Sequence, residues 1–176
     1  ILVNNAAVGY LFGPITEMNQ EEWDTVMEVN LRGVFFGIKH AAKQMIKQGN
    51  GGRIINIASQ AGKSGFANAA AYTASKHGVI GLTRSAALEL SKYKITVNAI
   101  CPNHITTGLG AWQNEYMSKL QHKTVEEYLQ AMRERIPLGR EGRVEDIVSA
   151  CCFLCSEEAN YITAEAMNVS GGEEYH

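Results

Sequence analysis

The 176-residue chain predicts an α/β fold, a doubly wound parallel sheet with helices on both faces. Two observations carry that prediction. Short runs rich in β-branched residues, ILVNN, RIINIAS and ITVNAIC, recur along the chain, and the stretches between them have helical periodicity. Strand, helix, strand, helix, strand in that order favours parallel strands joined by crossover helices. The length suits one domain over residues 1–176, and a chain of this size buries roughly 70% of its unfolded surface.

The first strand, ILVNN, leads into a loop marked by Gly13 and Pro14. Asn19 then stands as an N-cap with Glu22 three residues on, and Trp23, Val26, Val34, Ile38, Ala41, Ala42 and Met45 draw an apolar helical stripe toward the turn QGNGG. RIINIAS is the next strand. After a loop of small residues, a helix is expected from about Ala70 to Tyr93, followed by the strand ITVNAIC. From Pro102 to Arg135 the chain is largely polar and helical, with Thr124 and Glu127 placed as a capping box, and it reads as a lid. A helix at about Val144 to Cys155 and a strand AMNVS close the pattern.

With 16 Lys+Arg against 18 Asp+Glu, and 45% hydrophobic residues, the chain has neither the basic excess of a nucleic-acid binder nor a disordered composition. No apolar run approaches the ~20 residues that span a bilayer, and ILVNNAAVGY carries no signal-peptide pattern. The expected setting is therefore the cytoplasm, with no membrane partner. Cys151, Cys152 and Cys155 fall in the apolar run SACCFLCSEE without metal-ligand spacing. Together with Cys101 they read as reduced core cysteines, and no metal is expected.

In AAAYTASKHG, Tyr72 and Lys76 lie four apart and so share one helix face. A free tyrosine of pKa ~10 is almost wholly protonated at neutral pH. An ammonium ~4 Å away would favour the phenolate by up to about 4 kcal/mol at an effective dielectric of ~20, enough to make Tyr72 an acid and base near neutrality. By itself the pair is weak evidence, because two common residues often fall four apart. Ser59, at the end of RIINIAS, and Asn30, placed against its poor helix propensity inside MEVNLRG, add weight.

With those residues in place the chain closely resembles the short-chain dehydrogenase/reductase family. NNAA (Asn4 to Ala7) is similar to its Asn-Asn-Ala-Gly motif, Asn30 to its helix asparagine, Ser59, Tyr72 and Lys76 to its catalytic residues, and CPNHITT to its Pro-Gly-x-Ile-x-Thr loop. YITAEAMNVSGG is similar to its closing segment. The resemblance runs from residue 1 to about 174 and implies a Rossmann-like fold with NAD or NADP as cofactor. It implies hydride transfer with Tyr72 as acid and base, Lys76 as its tuner and ribose ligand, Ser59 on the substrate oxygen and Asn30 holding a relay water. Asn5 and Ala6 would line the adenosine side, and Ile105 and Thr107 would face the nicotinamide carboxamide.

Three positions depart from the family pattern: Ala7, Asn103 and Ala164 stand where it has glycine. Asn103 is expected to tolerate a left-handed backbone. No strand, glycine-rich turn and helix for a pyrophosphate precedes NNAA, so these residues are read as the C-terminal two-thirds of the fold, with weak activity and cofactor affinity on their own. The lid, with Trp112, Gln113, Tyr116 and Met117, favours a small polyol, sugar alcohol or hydroxyketone, as in acetoin-type enzymes. A 3-oxoacyl-[acyl-carrier-protein] reductase is the second reading, and a catalytically silent dehydrogenase-like subunit the third. His104, between Asn103 and Ile105, reads either as a substrate contact or, in preference, as an exposed loop histidine. The resemblance also implies a homo-oligomer, dimer or homotetramer, for which the stripes Val34, Phe35, Ile38 and Val79, Leu82, Ala86 suit an interface or a core equally.

Overall fold

A computed structural model describes residues 1–9 and 13–176. Four parallel strands form one sheet in chain order: β1 (Leu2–Asn4), β2 (Gly52–Ile57), β3 (Ile95–Pro102) and β4 (Ala166–Val169). The register pairs Val3 with Ile55, Ile55 with Asn98, and Ile100 with Met167. Each crossover is helical, as parallel pairing requires. Asn19 caps α1 (Gln20–Met27) by accepting from the Glu22 N–H. After five π-helical residues, Glu28–Arg32, the chain continues as α2 (Gly33–Gln48), which stops at Gly49 in a left-handed conformation. The helix α3 (Ala70–Leu90) is followed by one 3₁₀ turn to Tyr93.

The lid segment is two helices, α4 (Gly108–Leu120) and α5 (Val125–Arg135), the second opened by the Thr124–Glu127 capping box. The helix α6 (Val144–Cys155) leads to β4.

Helices cover both faces of the sheet. On one, Val34, Ile38 and Met45 of α2 and Val79, Ala86 and Leu90 of α3 pack on Ile54, Val97 and Ala99. On the other, Leu154, Ile147 and Ala150 of α6 meet Ile55, Ile100 and Met167. The stripes that suited core or interface divide accordingly: Val34, Ile38, Val79 and Ala86 are buried, Leu82 partly so, and Phe35 stays 42% exposed. The cysteine expectation needs one correction. Cys101 is buried, but Cys152 is exposed, because α6 covers the sheet with one face and Cys152 sits on the other.

A chain of polar side chains crosses the first face. Asn4 donates to Asn56 (2.8 Å), Asn56 to Thr83 (2.9 Å), and Thr83 to the Val79 carbonyl (2.7 Å). Asn56 and Thr83 are fully buried, so each bond also spares a desolvated group from being unpaired. Gly37 permits this network, since a Cβ there would collide with the Asn4 side-chain oxygen.

The glycine departures have different outcomes. Ala164 has φ 65°, the left-handed conformation that suits the glycine it replaces, and the strain amounts to about 1 kcal/mol. Asn103 is not among the residues with positive φ, so its tolerance of that conformation is not used.

Candidate active site

All the residues singled out by the sequence motifs, Asn30 apart, lie on or beyond the C-terminal ends of strands or on α3. Asn5 and Ala6 follow β1 and are exposed, Ser59 lies two residues past β2, and Ile105 and Thr107 follow β3. This edge is where open parallel sheets bind ligands.

Ser59 is extended and caps a 3₁₀ turn, Gln60–Gly62, by accepting from the Ala61 N–H (3.1 Å). The turn presses close to α3: a Cβ on Gly62 would meet the Lys76 carbonyl oxygen at 2.8 Å. That approach brings Ser59 close enough to Tyr72 to act on the phenol. From the other side Gly9 lies against the tyrosine ring, its Cβ position 3.4 Å from Cε2.

One turn along α3, Lys76 is buried, its ammonium donating to the Ile57 carbonyl (2.9 Å) and lying 5.6 Å from the Tyr72 ring centroid. Burial brings the ammonium down to about 8, against a smaller opposing effect of Cys101. Burial also raises Tyr72, and the neighbouring Ser59 hydroxyl offsets only part of the rise. The pull of Lys76 on the phenol expected from the spacing is thus set against burial, which acts upward. Desolvation dominates at Tyr72, and the charge lies toward the ring and the Ile57 carbonyl.

Asn30 sits in the π-helical turn, where the Gly33 N–H donates to the Glu28 carbonyl five residues back. π-Turns of this kind are frequent at functional sites. Its amide oxygen accepts from Val8 N–H (2.8 Å), and its amide nitrogen donates to the Val8 carbonyl (2.7 Å) and to Ser75 Oγ (3.2 Å). The side chain therefore splices the loop after β1 to α3. The awkward helix asparagine of the sequence is explained by a partner 22 residues away.

Thr107 caps α4, its hydroxyl accepting from the Gly110 N–H (3.4 Å). Ile105 is held by a bridge to Gly142, whose N–H donates to the His104 carbonyl (2.9 Å). His104 is not the exposed loop residue expected. Its side chain is 18% exposed and faces Glu173, and burial holds its pKa below the usual value while Glu173 opposes the shift. Trp112 and Tyr116 stack on one another, ring centroids 5.5 Å apart.

A cavity of about 660 Å³ opens between the β3 loop, the α5–α6 connection and the C-terminal turn, lined in part by His104, Arg140, Asn168 and Glu174. Ser59, Tyr72 and Lys76 do not line it. Among the described residues there is no group of three or more His, Cys, Asp or Glu placed to hold a metal, and no helix is long and apolar enough to cross a membrane.

This geometry matches a known class. A family model described as enoyl-(acyl carrier protein) reductase matches residues 1–174. Sorbitol dehydrogenase of Cereibacter sphaeroides is 39% identical over 172 residues, covering 98% of this chain and 67% of that protein. A 3-oxoacyl-[acyl-carrier-protein] reductase of Staphylococcus aureus is 40% identical over 172 residues, covering 98% of this chain and 65% of that protein. A crystal structure of a variant of actinorhodin polyketide ketoreductase with NADPH superposes with TM-score 0.94 at 40% identity, covering 99% of this chain and 67% of that one. The chain belongs to the short-chain dehydrogenase/reductase family and has its Rossmann-like fold. It spans about two thirds of the length of these relatives.

Proposed function

We propose that the protein is an NAD- or NADP-dependent oxidoreductase that interconverts a secondary alcohol and a ketone. The observation that carries this reading is a buried ammonium, Lys76, one turn of α3 from Tyr72, with Ser59 beside the phenol. The donor set fits a nicotinamide nucleotide. Lys76 has three N–H donors and, among the described residues, one hydrogen-bond acceptor, the Ile57 carbonyl, which leaves donors for ribose hydroxyls. Asn5 and Ala6 would flank the adenosine side, and Ile105 and Thr107 the carboxamide. When bound, the nicotinamide supplies the hydride acceptor or donor.

The residues of this chain handle the proton and the oxygen. In reduction, Tyr72 Oη gives its proton to the ketone oxygen as carbon receives the hydride, and Ser59 Oγ orients that oxygen; oxidation runs the same transfer in reverse, the hydroxyl proton returning to a Tyr72 phenolate. Lys76 holds positive charge behind the phenol, within a site dry enough to bring its own pKa to about 8. Asn30 keeps the loop after β1 in place. Among the described residues its amide oxygen accepts one hydrogen bond, from the Val8 N–H, which leaves a lone pair for the relay water that the family resemblance implies.

For the substrate we favour a small polyol, sugar alcohol or hydroxyketone, which the polar lid and the sorbitol dehydrogenase relative support. The 3-oxoacyl-thioester reading is kept because a relative of that name is 40% identical. A cytoplasmic homo-oligomer is part of the proposal, with the exposed Phe35 and Phe36 of α2 as its contact face.

Two measurements test the reading. Tyr72→Phe should lower kcat by about 10³ with unchanged circular dichroism, and unchanged turnover would refute catalysis by this residue. Rates of polyol oxidation with NAD+ and NADP+, set against NADPH-driven reduction of an acetoacetyl thioester, decide the substrate class.

A further inference from the structure

Resting on the proposed role of the loop after β3 in holding the cofactor, we infer that Glu173 is a positioning residue that fixes that loop to the C-terminal turn and to the end of the lid. Its carboxylate accepts a hydrogen bond from the Asn103 amide, lies 3.8 Å from His104 Nε2, and takes the Arg135 guanidinium at 3.3 Å. Asn103 and His104 immediately precede Ile105 and Thr107, and Arg135 is the last residue of α5. One side chain thus joins the residues proposed to meet the carboxamide with the C-terminal end of α5.

Glu173 can do this because it stands on a built turn. The Ser170 hydroxyl donates to the Glu174 carbonyl (2.8 Å) and accepts from the N–H groups of Gly172 and Glu174. Gly171 and Gly172 supply φ values of 65° and 96°. The Glu174 carboxylate is anchored in turn by the Ser64 hydroxyl (2.5 Å), in the loop that follows Ser59. The turn therefore touches both walls of the proposed site, the Asn103 side through Glu173 and the Ser59 side through Glu174.

The departure from the family glycine acquires a reason here. Asn103 does not use a left-handed backbone; its side chain supplies a donor that glycine lacks, and Glu173 is the acceptor. The backbone also ties the loop, through Asn103 N–H to the Val169 carbonyl (3.3 Å) and Gly142 N–H to His104 O (2.9 Å). Loss of Glu173 should therefore loosen the loop without unfolding it.

The test is fluorescence titration of the native protein with NADH and with NADPH, together with the thermal midpoint of the nucleotide-free form. Glu173→Ala should weaken the better-bound nucleotide about tenfold, as expected for a lost hydrogen bond to a charged group, with kcat changed less than twofold. Glu173→Gln keeps an acceptor for Asn103 and should recover most of that loss. Asn103→Gly should weaken binding alone, and have little further effect once Glu173 is alanine. Wild-type binding with Glu173→Ala unaltered overturns the inference and leaves the oxidoreductase reading standing. So does a weakening that Glu173→Gln fails to relieve and that tracks the thermal midpoint. A wild-type protein that binds neither nucleotide overturns both.

Discussion

The buried centre and the lid are built in opposite ways. Around Tyr72 and Lys76, polar groups are desolvated and tied over long sequence separations: Asn30 to Val8 and Ser75, Asn4 through Asn56 to Thr83, Lys76 to Ile57. In α4 and α5 most polar groups are exposed and satisfied locally, by the Thr124–Glu127 box and by Gln130 to Glu134. Among the described residues of these helices, Asn114, Ser118, Tyr128 and Met132 alone are deeply buried. Under the proposed function, the difference separates chemistry from selectivity. A proton-transfer site needs fixed geometry and low dielectric, whereas a lid must be able to change its surface at little cost to the fold.

The sharpest way to break the contrast is Lys76→Met. Turnover should fall by about 10² or more, while the nucleotide-free protein keeps or gains stability, because a buried charge has been removed. The pH dependence gives the sign. Lys76 has a folded pKa of about 8 against an unfolded value of ~10.4, so between these the unfolded chain holds the extra proton and stability rises with pH. Below pH 8 both states are charged and the burial cost is fully present. Cys101, pushed up to about 11, acts with the opposite sign in an overlapping window. The clean readout is therefore the wild-type minus Lys76→Met difference in unfolding free energy, which should rise by roughly 3 kcal/mol from pH 8 to 10.5. A flat difference curve would place the ammonium in water.

Next in size is Asn56→Ala. It strands the Asn4 amide and the Thr83 hydroxyl and should cost about 3 kcal/mol in urea unfolding, spread over β1, β2 and α3. A loss below about 1 kcal/mol would show that the polar chain is dispensable to the centre. The smallest effect is expected from Thr124→Ala. It should loosen α5 by about 1 kcal/mol in hydrogen exchange and leave kcat within about twofold. If it lowered turnover as far as Lys76→Met, the separation of lid from chemistry would fail.

Much of this was legible beforehand where the signal is local. The Asn19 cap, the Thr124–Glu127 box and the helix Val144–Cys155 follow from side chains three or four residues apart, and they stand as expected. The strands follow from runs of β-branched residues. The unfavourable position of Asn30 was visible too, though not its π-turn or its hold on Val8. The exposure of Cys152, the burial of His104 beside Glu173 and the upward shift of Tyr72 were not legible. Each depends on what another segment places next to it, and no spacing rule reports that.

The sequence by itself determined the order of strands and helices, the parallel sheet, the spacing of Asn30, Ser59, Tyr72 and Lys76, and through these the family. Those properties are encoded in periodicity and in residue identity at short range. The tertiary structure alone decided which of the paired groups sits nearer neutrality, which stripe becomes core, and that a carboxylate 70 residues away holds Asn103. Desolvation and long-range hydrogen bonds come into being only when the chain is packed. A residue's pKa and its partner are therefore properties of the fold, while its identity belongs to the sequence.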